Sequence, residues 1–228
     1  MNVAVIVAAG SGVRFGGDVP KILLELKGVP VIIHSIRRFA ECADIDSIVV
    51  VVSREHIETV RGMISREGLG KPVAVVEGGE TRNASVRSGI KSLDPSDTKL
   101  VVIHDGARPL VRTEDIESTI RAASVTGAAV LAVQVTDTVK EVRDGKVVRT
   151  VDRRILRRAV TPQVFNIEIL LAAIASGPDG DSVTDESLLV EMSGFEVAVV
   201  EGDSSNLKIT HPSDMTIAEA LIEKEPKG

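Results

Sequence analysis

The chain has 228 residues, 43% of them hydrophobic, and a mean hydropathy of +0.18. That is enough length and apolar content for one sizeable core and excludes a disordered chain. A net charge of −6 and a pI near 5.3 argue against broad binding to a nucleic-acid backbone. With four Phe and no Trp or Tyr, an aromatic platform for bases is also excluded. Cys42 stands alone, which leaves no internal disulfide and too few thiolates for a zinc site. It reads as a small buried side chain in a reducing, cytoplasmic setting. No apolar stretch reaches the ~18 uncharged residues of a membrane span. The opening MNVAVIVAAG lacks a basic leader region and reads as the start of a domain.

Taken in chain order, short apolar runs alternate with segments of helical period. VAVIVAA (3–9), SIVVVV (47–52), PVAVVE (72–77), KLVVIH (99–104) and AAVLAVQV (128–135) are β-branched without polar alternation. Strands of a parallel sheet covered on both faces have that composition. Between them, Ile32, Ile36, Phe39, Ala40 and Ala43 repeat on one helical face. Segments 54–67, 81–93 and 113–126 behave alike, the last with Thr113 as the expected N-cap ahead of acidic residues. Repeated βα units predict an α/β fold with a doubly wound, mostly parallel sheet, and ligands at the carboxyl ends of its strands.

The pattern breaks after residue 135. QVTDTVKEVRDGKVVRTVDRRILRR alternates, is heavily charged, and contains Asp144-Gly145. An Asp-Gly pair between two strand-like stretches predicts a hairpin. Residues 136–158 are therefore read as a projecting β-arm on a single domain spanning 1–228. A two-stranded ribbon is marginal alone, so the arm should pack on something, most simply a second subunit. Helices are expected again at 166–176, 184–193 and 212–224, the last with Pro212 in its first turn.

The segment VIVAAGSGVRFGGDVPK (5–21) runs from a strand into a loop of small residues carrying Arg14 and Lys21. Small residues let backbone N–H groups approach anionic oxygens. The loop fits neither G-x-G-x-x-G, because position 15 is Phe, nor G-x-x-x-x-G-K-[ST], because position 18 is Asp. Two cations on one loop at a strand's carboxyl end point to an anionic ligand.

A-A-G-x-G-x-R leading to P-K is followed, in order, by GGETRNASVRSGI (78–90), HDGARP (104–109), TDTVK (136–140), TVDR (150–153), TPQ (161–163), TDE (184–186) and NLKIT (206–210). Together these blocks resemble the 2-C-methyl-D-erythritol 4-phosphate cytidylyltransferase family of the non-mevalonate isoprenoid pathway, whose nucleotidyltransferase fold is Rossmann-like. The resemblance implies attack of a substrate phosphate oxygen on the α-phosphorus of CTP, with Mg2+ present and pyrophosphate leaving. The nucleophile is already deprotonated, so positioning and charge neutralisation should carry catalysis.

By the same resemblance, Arg14 and Lys21 stabilise the reacting phosphates, and Arg153 and Lys208 complete the catalytic set. Ala8, Ala9, Gly10, Ser11, Gly12, Gly78, Gly79, Glu80, Ser85, Asp105 and Gly106 would bind the nucleotide, Asp105 nearest the metal. Ser85 would lie near the sugar or phosphates. Glu80 stands where relatives are expected to carry Asp, one methylene shorter. Thr138, Arg153, Thr161 and Lys208 would hold the polyol phosphate, with the arm crossing to a partner in a homodimer. His104 reads as structural, Arg82 is open between a helix-terminal charge and a ligand, and Asp185 and Glu186 read as first-turn helix acids.

Ribitol-5-phosphate cytidylyltransferase has a similar pattern. Its relatives tend to carry L-A-G-G in the first loop and no acid before the arm arginine, whereas this chain has Ala8-Ala9-Gly10 and Asp152-Arg153. A non-catalytic nucleotide-binding protein is the reading from another class. Against it, Arg14, Lys21, Asp105, Arg153 and Lys208 are all present.

Overall fold

The structure is a computed structural model that describes residues 1–10, 15, 19–178 and 185–223. β1 (Asn2–Val7) leads to a two-residue pair, β2 (Glu25–Leu26) and β3 (Val29–Pro30), and then α1 (Val31–Glu41). β4 (Ser47–Val52), α2 (Ile57–Ile64), β5 (Val73–Glu77), α3 (Arg82–Lys91), β6 (Leu100–Asp105), α4 (Thr113–Thr126) and β7 (Ala128–Gln134) continue the alternation. β8 (Val139–Arg143) and β9 (Lys146–Val151) form a separate ribbon. β10 (Arg157–Asn166), α5 (Ile167–Ser176), α6 (Glu186–Met192), β11 (Ala198–Glu201) and α7 (Pro212–Ile222) complete the described elements.

Seven strands form one sheet in the order β11-β7-β10-β6-β1-β4-β5. All pairings are parallel except those of β10, which runs antiparallel to both β6 and β7. The five apolar runs are strands, within a residue or two of the expected bounds. In β1, Ala4 and Ile6 face the layer of α1, α2 and α4, where Ile32, Ile36, Phe39, Val60, Ile116 and Ile120 are buried. Val3, Val5 and Val7 face the opposite layer, with Val86 and Ile90 of α3, Leu170 of α5 and Leu189 of α6. Two buried faces on every central strand explain why these runs lack polar alternation. Cys42 is buried at the end of α1.

β10 and β11 were not expected. β10 contains Pro162, which ordinarily argues against a central strand; its pairing with β7 shifts register between Ala159 and Gln163, opening the ladder around the proline. β11 has only four residues and lies at the sheet's edge. Thr113 is the first helical residue of α4 and not its N-cap. Asp115 and Ile116 N–H both bond to Arg112 O, so the helix begins from Arg112.

The ribbon turns at Asp144-Gly145, with φ of +51° and +72° and Arg143 opposite Lys146. A positive φ at both central residues is the twist a two-residue hairpin needs. Val142, Val147 and Val148 on the ribbon and Ile155 just beyond it are all exposed.

Candidate active site

From the middle of the sheet the chain winds both ways: β1 leads outward to β4 and β5, and β6 lies on its other side. A crevice at the carboxyl ends of two strands that part in this manner is where open α/β sheets bind ligands. Ala8, Ala9 and Gly10 follow β1, Gly106 follows β6, and the two ends are tied by Gly106 N–H bonding to Val7 O at 2.9 Å. Gly78, Gly79 and Glu80 follow β5. A Cβ on Gly78 would sit 2.4 Å from Ala9 Cβ and 2.9 Å from Ser85 Oγ, so only glycine lets the loops after β1 and β5 touch. Glu80 is exposed.

Ser85 is turned inward. Its hydroxyl is shared between Gly79 O (3.1 Å) and Thr81 O (2.9 Å), and its oxygen accepts Gly79 N–H (3.1 Å). It shapes the loop after β5 and does not present its hydroxyl to the crevice.

The centre of the site is Asp105, the last residue of β6 and 7% exposed. Its Oδ1 accepts Arg82 Nε–H at 3.0 Å; its Oδ2 accepts Lys208 Nζ–H at 2.8 Å and Arg108 Nε–H at 3.4 Å. Burial opposes ionisation of this carboxyl, but Arg82, Lys208 and Arg108 outweigh it and hold Asp105 far below the usual carboxylate range. Arg82 also reaches Glu186, its Nη1 lying 3.0 and 2.8 Å from the two carboxylate oxygens. Burial works against the Arg82 charge, and the two carboxylates more than restore it.

Behind Asp105 lies a network of neutral groups. His104 is fully buried, its ring centroid 4.7 Å from that of Phe39. Its Nε2 lies 3.1 Å from Arg108 O, which can only accept, so Nε2 carries the proton and Nδ1 accepts the Thr161 hydroxyl at 3.0 Å. Thr161 Oγ1 accepts Asp105 N–H at 3.0 Å. Asn206 Nδ2 donates to Thr161 O, and Asn206 O accepts from Arg108, both at 2.9 Å. Burial pushes the His104 pKa down to about 4. The neutral imidazole orients Asp105 and Arg108, consistent with the structural role expected of it. Thr161, 4% exposed, gives its proton to His104, so it holds Asp105 in place and has no hydroxyl proton left for a phosphate.

Among the described residues, Thr138 and Arg153 are not gathered into this cluster. Arg14, Ser11 and Gly12 lie outside the described residues. Lys21 opens a short 3-10 turn, Lys21–Leu23, and its charge helps to lower the Asp214 carboxyl at the start of α7. Thr138 and Arg153 are exposed at the base of the ribbon, where Arg153 Nη1 donates to Thr136 O. Among the described residues no hydrogen bond or ion pair joins either to Asp105, Lys208 or Thr161. Asp185 caps α6, accepting Leu188 N–H at 3.1 Å and Gln163 Nε2–H at 2.9 Å. Glu186 opens that helix as expected, but its side chain belongs to Arg82. Arg108, Asn206 and the Arg82–Glu186 pair are what the sequence reading missed. For Arg108 the available sign was its place three residues after Asp105 in HDGARP.

Glycine loops and converging cations at the carboxyl edge of a doubly wound sheet have the layout of nucleotide- or phosphate-handling α/β enzymes. The profile of the 2-C-methyl-D-erythritol 4-phosphate cytidylyltransferase family matches residues 2–224. Proteins of that name from Desulforamulus reducens and Bacillus licheniformis are 45% and 38% identical to this chain. The alignments cover 97% and 100% of this chain and 96% and 99% of theirs. A solved 4-diphosphocytidyl-2C-methyl-D-erythritol synthase from Anaerococcus prevotii superposes with a TM-score of 0.85 at 31% identity, covering 98% of both chains. The Thermus thermophilus cytidylyltransferase gives 0.76 at 30% identity, covering 98% of this chain and all of the other. The chain belongs to the 2-C-methyl-D-erythritol 4-phosphate cytidylyltransferase family, a family of nucleotidyltransferase enzymes.

Proposed function

We propose that this chain transfers the cytidylyl group of CTP to 2-C-methyl-D-erythritol 4-phosphate, forming 4-CDP-2-C-methyl-D-erythritol and releasing pyrophosphate. The observation that carries the chemistry is the convergence of Arg82, Arg108 and Lys208 on a buried Asp105 at the carboxyl edge of the sheet. The substrate phosphate oxygen attacks the α-phosphorus as pyrophosphate departs, so no side chain needs to remove a proton. His104 is not a base here, since both ring nitrogens are engaged in the network behind Asp105. The work left to the protein is to align two anions and to offset charge that grows on the phosphates. Arg14 and Lys21 are proposed for the reacting phosphates, Lys208 and Arg153 for orienting the polyol phosphate, and the glycine loops after β1 and β5 for the nucleotide.

Mg2+ belongs to the same proposal, with Asp105 as its protein ligand. One carboxylate completed by substrate phosphate oxygens is a coordination that Mg2+ accepts. Among the described residues no three His, Cys, Asp or Glu side chains converge into an all-protein cage. A single carboxylate donor fits an ion that would come with the nucleotide and offset charge on its triphosphate. A homodimer formed through the ribbon and a cytoplasmic location complete the reading. The ribbon's exposed valines support the dimer. No described helix is long and apolar enough to cross a membrane.

The test is pyrophosphate release from CTP and Mg2+, with methylerythritol 4-phosphate and ribitol 5-phosphate assayed side by side. Release with the first alone is expected. Release with ribitol 5-phosphate alone would keep the chemistry and replace the substrate. CTP binding without release from either would leave a non-catalytic binder.

A further inference from the structure

Glu186 is buried to 1% exposure, yet no part of the proposed chemistry asks for a carboxylate there. It holds Arg82 through both oxygens, while Arg82 Nε stays on Asp105. Asp105 already has Lys208 and Arg108 on its other oxygen. Among the described residues of this cluster two carboxylates face three cations, a formal charge of +1; without Glu186 it would be +2. Burying a carboxylate carries a desolvation cost, which also raises the Glu186 carboxyl above its ordinary range. A site shaped only for the tightest grip on phosphates would omit it. An enzyme that must let go of pyrophosphate gains from it, because product release limits turnover in many enzymes.

We propose that Glu186 is a positioning residue that keeps Arg82 occupied and restrains the positive charge of the site, so that pyrophosphate is released once it forms. The inference rests on the proposed function, in which Asp105 at the centre of this cluster lies beside the phosphates of the nucleotide. It differs from a plain structural role in the sign of its effect. A strut, when removed, loosens the site for every ligand; a restraint on charge, when removed, tightens the site for anions.

The experiment is calorimetric binding of pyrophosphate in EDTA, paired with product-inhibition kinetics on the full chain. Glu186→Gln keeps the shape and an acceptor for Arg82 but removes the charge. It should bind pyrophosphate about five- to tenfold more tightly at low salt, since one unit charge ~10 Å away at moderate effective dielectric is worth that much. Pyrophosphate inhibition should strengthen and kcat fall, with no rise in KM for CTP. Glu186→Asp should stay near wild type. Arg82→Gln/Glu186→Gln removes the pair as a unit, keeps the formal +1, and should bind within about threefold of wild type. It also serves if Glu186→Gln alone does not fold. Unchanged or weaker pyrophosphate binding in Glu186→Gln, or its loss in the double variant, would overturn the proposal. A wild-type chain that turns over CTP while these shifts fail leaves the function standing and this inference refuted. A wild-type chain that neither turns over CTP nor binds pyrophosphate refutes both.

Discussion

His104 offers a prediction whose size follows from its surroundings. The ring is fully buried against Phe39, with Nε2–H donated to Arg108 O and Nδ1 accepting from Thr161. Adding a proton would set two donors, Nδ1–H and the Thr161 hydroxyl, against each other and bury a charge. Burial is the main reason the pKa falls from 6.5 to about 4. As pH drops, the unfolded chain takes up this proton first, so the stabilisation is complete above about pH 6.5 and is lost on acidification towards 4. At 1.36 kcal/mol for each pKa unit, the full loss is about 3 kcal/mol, and about 2 kcal/mol is gone by pH 5. Asp105, Arg108 and Lys208 also face the ring, but they are shared by wild type and variant and cancel in the difference. Urea unfolding of wild type and His104→Gln, run from pH 7.5 to 5, measures it. The variant should be less stable at pH 7.5, and its deficit should shrink by about 2 kcal/mol at pH 5. Curves that stay parallel would refute the neutral, buried imidazole as the source of the slope.

Lys21→Ala should lower turnover by about a hundred- to a thousandfold, the usual cost of one lost transition-state contact, with an unchanged thermal melt; a near-normal rate removes Lys21 from the mechanism. Deleting residues 141–147 removes the hairpin turn with Val142 and Val147, and sedimentation should then report a monomer in place of a dimer; an unaltered profile refutes the arm as the interface. Gly78→Ala would drive a methyl against Ala9 Cβ and Ser85 Oγ. It should cost about 1–3 kcal/mol in urea unfolding and raise KM for CTP more than it lowers kcat; a fully stable variant with normal KM would show that the two loops do not depend on their contact.

What could be read in the residues was whatever is local or periodic. Runs such as SIVVVV declare a strand because both its faces are buried, and Asp144-Gly145 declares a hairpin because few other pairs accept that twist. The eight blocks in order declared the family, and Asp105, Lys208 and the glycine loops came with them. β10 was hidden by Pro162 and by the charged residues at its ribbon end, and its antiparallel insertion between β6 and β7 has no local mark. Glu186 had the spacing of a helix-terminal acid, and only the sheet order carries it to Arg82, 104 residues earlier in the chain. Thr161 and Ser85 looked like ligand hydroxyls, and folding turns both inward to donors and acceptors that sequence spacing does not reveal. The sequence by itself determined the central parallel strands, the helices between them, the hairpin and the family's chemistry, because propensity, periodicity and motif spacing act over a few residues. The tertiary structure alone decided which charges meet and which hydroxyls stay free, because buried polar groups must find partners wherever the strands' order places them.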